Sequence, residues 1–274
     1  MADAVELPKL QRAAEQQQED DPRAAGMTAW AKASGCMGFH QMRFGTSSLC
    51  QGLGAFATTT LLPGTVALTL PRKMAITIQT CHDAFPALER HRVPEFSSFV
   101  LYLVQQLYTA STSKYRCYIE SLPKASDMTS ALYMTEREVA ALPEAYAAAC
   151  HQARARAAAC WSCIDDLCRL HLSPEEAIMC SDDTARRWAT AIVMSRAFRV
   201  CGRLMLLPAI DICNNAADGC VLEYNDAADL LLRVRRAYSA GEELFLCYGG
   251  TEGKPDEELL ANYGYSSVLG SSGL

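Results

Sequence analysis

Apolar and polar positions divide the chain into a polar start, a stretch of short strands, a helical middle and a second stretch of strands. Residues 1–26 are rich in Gln, Glu and Asp and carry no hydrophobic period, which predicts a disordered N-terminal arm. From Met27 a helical start around Trp30 leads to strand-like pieces at 54–58 and 66–70, with the turn residues Pro63-Gly64 between them. The segment 95–108 sets Phe96, Phe99, Val100, Leu103 and Leu107 at helical spacing behind Pro94. Thr135-x-x-Glu138 and Ser173-x-x-Glu176 read as capping boxes, and the Ala-rich run 145–159 favours helix. Strand patterns return at 204–207, 220–224, 230–236 and 243–248. The order predicts an α+β fold of short β-sheets, interrupted by a mainly helical insertion at about 75–195.

With 274 residues, half of them apolar, the chain can bury a full core. Its net charge of −6 argues against a broad phosphate-binding surface, so no nucleic acid partner is expected. No apolar run reaches the roughly 20 residues of a membrane span. The first residues lack a basic start followed by an apolar stretch, and the acidic arm is unlike a transit peptide. The expectation is a cytoplasmic or nuclear chain, monomeric and with no membrane partner.

Thirteen cysteines lie scattered through apolar patterns, as expected of buried free thiols. One cluster, Cys160-x-x-Cys163 with Cys168, His151 and His171, admits a zinc or redox reading. It lacks the paired knuckles of a structural zinc site, and no metal is expected.

Four segments carry the candidate chemistry. The first is Gln51-Gly52-Leu53-Gly54-Ala-Phe56-Ala-Thr58, which alone is compatible with an ordinary turn. The second, Tyr115-x-x-Tyr118-Ile119-x-x-Leu122-Pro123, has the spacing of a packed stripe. The third runs from Trp188 through Ser195-Arg196 to Asp211-x-x-Asn214-Asn215; helical spacing turns Trp188, Ile192 and Ser195 inward and leaves Arg196 beside that face at the helix end. The fourth is Gly241-Glu242-Glu243-Leu-Phe-Leu-Cys-Tyr248-Gly249, followed by Leu259-Leu260-x-x-Tyr263-Gly264-Tyr265.

In this order the segments resemble the SET-domain protein methyltransferases, in the Rubisco large-subunit methyltransferase-like branch, over most of residues 30–266. The resemblance implies a SET-domain fold over 27–266, with a C-terminal pseudoknot and a short tail at 267–274. It also implies S-adenosyl-L-methionine as cofactor and a protein as substrate. Gln51, Gly52 and Leu53 then meet the cofactor's amino-acid end; the family often has an acidic residue at Gln51, so backbone contacts transfer better than side-chain ones. Arg196 clamps the carboxylate, Asn214 holds the amine, and Asp211 and Asn215 also bind the cofactor, backbone groups of this stretch holding its adenine. Tyr248 takes the catalytic position, and Tyr224, Tyr263 and Tyr265 wall the channel for the target side chain.

Methyl transfer from a sulfonium needs in-line attack by a neutral nitrogen, hence alignment and removal of water. Free lysine titrates near 10.4, and an apolar channel favours its neutral form. A tyrosine hydroxyl can orient that nitrogen, while oxygens make weak C–H···O contacts to the methyl. The leading expectation is a protein-lysine N-methyltransferase acting on a non-histone protein, with histidine as an alternative acceptor. The rival is a catalytically weak SET-fold binding module. Two features favour it: Asn215 stands where the family has histidine, and the chain ends at Leu274, where this branch continues into a helical C-terminal substrate-binding domain.

Overall fold

The computed structural model describes residues 21–49, 52–109, 111–249, 253–266 and 268. The first twenty residues of the expected arm, Gln51 and nearly all of the C-terminal tail lie outside the described residues. The described chain divides into two compact units.

The first unit comprises the chain up to Met74, residues 120–122 and 208–253. It opens with helix α1, Pro22–Ala33, which begins before the expected start at Met27. The signal passed over is local: Asp21 accepts from the Arg23 N–H at 2.8 Å, and Pro22 fits the first turn, where no N–H is needed. The end of the predicted disordered arm is therefore helical.

Three strands follow, β1 (Met42–Thr46), β2 (Leu53–Ala57) and β3 (Val66–Leu70). After the second unit come β6 (Asn215–Tyr224), β7 (Leu230–Arg233) and β8 (Glu243–Leu244). They form two antiparallel sheets, ordered β1-β2-β8 and β3-β7-β6. Every residue of β2 is buried, which suits its small and apolar Leu-Gly-Ala-Phe-Ala sequence.

Beyond β8 the chain is threaded. Leu246 donates to the Asn214 carbonyl at 2.8 Å, while Cys220 donates to Phe245 at 2.7 Å and accepts from Cys247 at 3.0 Å. The segment 245–247 thus passes between two parts of one upstream stretch, as the expected pseudoknot requires. Gly219 permits it: a Cβ there would lie 2.9 Å from backbone atoms of Ala216, Phe245 and Leu246. Only a residue without a side chain fits.

The second unit comprises residues 75–119, 123–207 and 254 onward. Its helices include α2 (Ile78–Ala84), α3 (Ala87–Arg90), α4 (Glu95–Tyr108), α5 (Arg116–Ser121, reaching into the first unit's 120–122), α6 (Glu136–Ala140), α7 (Glu144–His171), α8 (Pro174–Cys180), α9 (Asp183–Arg196) and α10 (Asp256–Tyr263). Both expected capping boxes form, at Thr135/Glu138 and Ser173/Glu176. The α7 residues Cys150, Ala153, Ala157, Cys160, Ile164 and Leu167 recur three and four apart and make one buried face. Ala191 and Met194 of α9 and Ala261 of α10 join its core.

Helix α4 is buried on more sides than its stripe predicts. Ser97, Ser98 and Gln106 are enclosed along with Phe99, Val100 and Leu103, while Leu107 is exposed. Ser98 satisfies its hydroxyl on the Val93 and Pro94 carbonyls, which lets a polar residue stay dry. The unit also holds a hairpin, β4 (Ala197–Val200) and β5 (Arg203–Leu206), with Cys201 and Gly202 both at positive φ in its turn.

Candidate active site

Asp211, Cys213 and Asn214 precede β6 and Asn215 begins it, so the backbone that threads the first unit also carries the candidate residues. Two hydrogen bonds from Tyr248 return to this stretch. Its hydroxyl donates to the Cys213 carbonyl at 2.8 Å, and its backbone N–H donates to Asn215 Oδ1 at 2.8 Å. The phenol and main chain of one residue are thus fixed by two residues flanking Asn214.

Asn214 has a partner that the motif reading passed over. Its Nδ2 donates to Glu243 Oε1 at 2.6 Å, and the other carboxylate oxygen accepts from Ser47 Oγ at 2.9 Å. A carboxylate only accepts, so the amide nitrogen must face it, and the acceptor end of Asn214 points the other way. Glu243 is buried. Burial raises its carboxyl, opposed by the hydrogen bonds from Asn214 and Ser47. Gly54 makes room for it: a Cβ at Gly54 would sit 2.5 Å from Glu243 Oε1 and 3.2 Å from Ser47 Cβ. The sequence signal for Glu243 was an acid at an inward strand position beside Leu244, which burial makes costly unless partnered.

Gly52 closes the turn between β1 and β2 by accepting from Ser47 at 3.1 Å, and Leu53 is buried at the start of β2. Asp211 is buried and Cys213 fully enclosed, its thiol pushed far up by burial and by Cys220, Asp211 and Glu243. Tyr224 lies at the opposite end of β6 from Asn215, in register with Leu230 and about half exposed. The role expected of Gln51 lies outside the described residues.

The remaining predicted residues belong to the second unit. Arg196 ends α9, and its charge acts on the Tyr263 hydroxyl. Burial, then Tyr265, hold that phenol above its ordinary range while Arg196 pulls it down. The Tyr263 and Tyr265 rings meet edge-on at 6.3 Å. Helix α10 places them: Tyr146 donates to Asp256 at its start, Thr129 donates to the Gly264 carbonyl at its end, and Gly264 adopts a left-handed cap.

Tyr115, Tyr118, Ile119 and Leu122 are all buried, as a packing stripe requires. The cluster that admitted a zinc reading is strung along α7, where Cys160 is buried with its thiol pushed up to about 11 and His171 stacks on His91 with ring centres 3.6 Å apart. Among the described residues no group of three His, Cys, Asp or Glu is arranged to hold a metal ion. Every described cysteine is free, most are buried and Cys201 is exposed. No described helix is long and apolar enough to cross a membrane.

The fold is that of the SET domains of Rubisco LSMT. The SET domain of LSMT bound to lysine and AdoHcy superposes with a TM-score of 0.74 at 19% identity. Rubisco LSMT bound to AdoMet gives 0.73 at 19%, and the SET domain bound to methyllysine and AdoHcy gives 0.75 at 20%. Each match covers 90% of this chain and 57% of the other, so the chain spans little more than half the length of these structures. No protein-family profile and no curated protein matches the chain.

Proposed function

We propose that the chain is an S-adenosylmethionine-dependent protein methyltransferase whose acceptor is a lysine of a non-histone protein. The observation that carries this reading is the double anchoring of Tyr248 by Cys213 and Asn215, around an Asn214 whose amide is oriented by Glu243. Similar folds have been solved with AdoMet, AdoHcy, lysine and methyllysine, which supports both the cofactor and the acceptor class.

The donor set suits the cofactor's chemistry. Within the first unit, the acceptor end of Asn214 and the negative charge of Glu243 beside it favour an ammonium; for Arg196, in the second unit, a carboxylate is what the resemblance implies. When bound, the cofactor supplies an electrophilic methyl on a sulfonium. The protein aligns and dehydrates the acceptor amine. Because the Tyr248 hydroxyl gives its hydrogen to the Cys213 carbonyl, its oxygen serves as an acceptor toward the amine or the methyl C–H groups rather than as a proton donor. For Tyr263 and Tyr265, and for the half-exposed Tyr224, the role of walls to the target side chain is what the resemblance implies. A cytoplasmic or nuclear site of action fits a protein substrate.

Asn215 is one of the two features behind the binding-module alternative. That residue is engaged on the backbone of Tyr248, which favours a working site over a degenerate one. Calorimetric titration with S-adenosylmethionine tests the reading: saturable binding supports it, and absence of binding contradicts it.

A further inference from the structure

Asn215 departs from the histidine that the resemblance expects, and its side chain makes one specific contact. Its Oδ1 lies 2.8 Å from the backbone nitrogen of Tyr248, thirty-three residues on. The same strand start is bridged in parallel to Leu246, so backbone pairing and side-chain tether converge on the three residues 246–248. The bond fixes the main chain at the base of the Tyr248 side chain, while the Cys213 carbonyl fixes its tip. Rotation of the phenol about its base would break the bond to Cys213, and a shift of the main chain would break the bond to Asn215.

An amide oxygen accepts at any pH. An imidazole accepts only while neutral; once protonated, both its nitrogens donate, and a backbone N–H facing it has no acceptor. The titratable groups around the tether are cysteines and carboxylates. Cys213 and Cys220 are thiols pushed well up by burial, Cys220 to about 11. Asp218 is paired with Arg236, and Glu243 is engaged by Asn214 and Ser47. No histidine occurs after His171.

We infer that Asn215 is a positioning residue that locks Tyr248 in place through its backbone N–H, and that amide in place of imidazole makes this lock independent of pH across the range in which histidine titrates. The consequence rests on the reading of Tyr248 as the catalytic tyrosine. The lock itself does not.

The test uses the whole chain labelled with 15N-tyrosine, the Tyr248 amide being the resonance missing from Tyr248→Phe. In the parent its shift stays flat from pH 5.5 to 8 and its exchange is slow. In Asn215→His the amide stays protected at pH 8 and loses protection, with a moving shift, as pH falls through about 6.5. Asn215→Leu exposes it at every pH, with exchange about tenfold faster or more. Methyl transfer by Asn215→His then falls on the acid side relative to the parent, in kcat and not in the KM for cofactor. A Tyr248 amide equally protected in Asn215→Leu, or one in Asn215→His that ignores pH, overturns the inference. If Asn215→Leu does not fold, the two pH values of Asn215→His decide alone. A parent that shows the amide behaviour but transfers no methyl group defeats the reading of function and leaves the lock standing.

Discussion

Asn214 Nδ2 and Glu243 Oε1 lie 2.6 Å apart, and this bond decides which end of the asparagine amide is offered to a ligand. A buried carboxylate held by Asn214 and Ser47 is also a demanding element of the fold, since its charge is retained only through those donors.

Asn214→Ala removes the amide and leaves Glu243 with one donor fewer. Affinity for S-adenosylmethionine should fall by a factor of about 10–100, the equivalent of ~1.5–3 kcal/mol for a hydrogen bond to a charged group. Isothermal calorimetry measures it, and an unchanged dissociation constant would refute the assignment of Asn214.

Glu243 also makes a pH prediction. Its folded-state carboxyl lies above the ordinary value of 4.5, so the folded chain holds this proton more tightly than the unfolded chain. The contribution to stability is therefore full below 4.5 and is lost as pH rises through the raised value. Glu243→Gln keeps an acceptor for Asn214 and cannot ionise. Denaturant melts across this range should show the parent losing stability relative to Glu243→Gln as pH rises; a gain would reverse the sign and contradict the burial argument.

Two glycines separate close approach from mere flexibility. Gly219→Ala forces a Cβ to within 2.9 Å of three backbone atoms that cannot swing aside, and should destabilise the chain by about 1–3 kcal/mol. Gly26→Ala, inside α1 with nothing within 4 Å of the new methyl, should stabilise by ~0.4–1 kcal/mol. Thermal unfolding of both variants checks the pair, and equal shifts would mean that the threading at Gly219 is not tight.

Much of the fold was legible because local chemistry and pattern agree: the capping boxes at Thr135 and Ser173, the strand Val66–Leu70, and the helical run ending at Arg196 all stand as expected. Strand β1 was missed because Met42-Arg-Phe-Gly-Thr46 is short, includes a glycine and gains its stability from pairing with β2. Strand β5 matches the expected strand at 204–207, but its partner β4 was missed because the turn between them is Cys201-Gly202, not an Asn-Gly or Asp-Gly pair. Helix α10 carried readable signals, three acids in its first turn and Gly264 past its end, which the Tyr263 motif overshadowed.

At the candidate site, the motifs supplied Tyr248 and Asn214, and they supplied Asn215 as a departure whose partner was unknown. Glu243 and Ser47 were not legible as a set. They are nearly two hundred residues apart in the chain, and only the pairing of β2 with β8 brings them together.

Tyr248→Phe keeps the ring and the backbone bond to Asn215 and loses the oxygen bound to Cys213. Turnover should drop about 100-fold or more, on the scale of losing one preorganised polar group, with cofactor affinity unchanged.

The most direct measurement incubates the purified chain with methyl-labelled S-adenosylmethionine and a cell extract, then hydrolyses the labelled protein and identifies the modified amino acid. Methyllysine formed by the parent and strongly reduced with Tyr248→Phe is the predicted result. Label that is absent, or that appears equally with both proteins, would contradict the proposed activity.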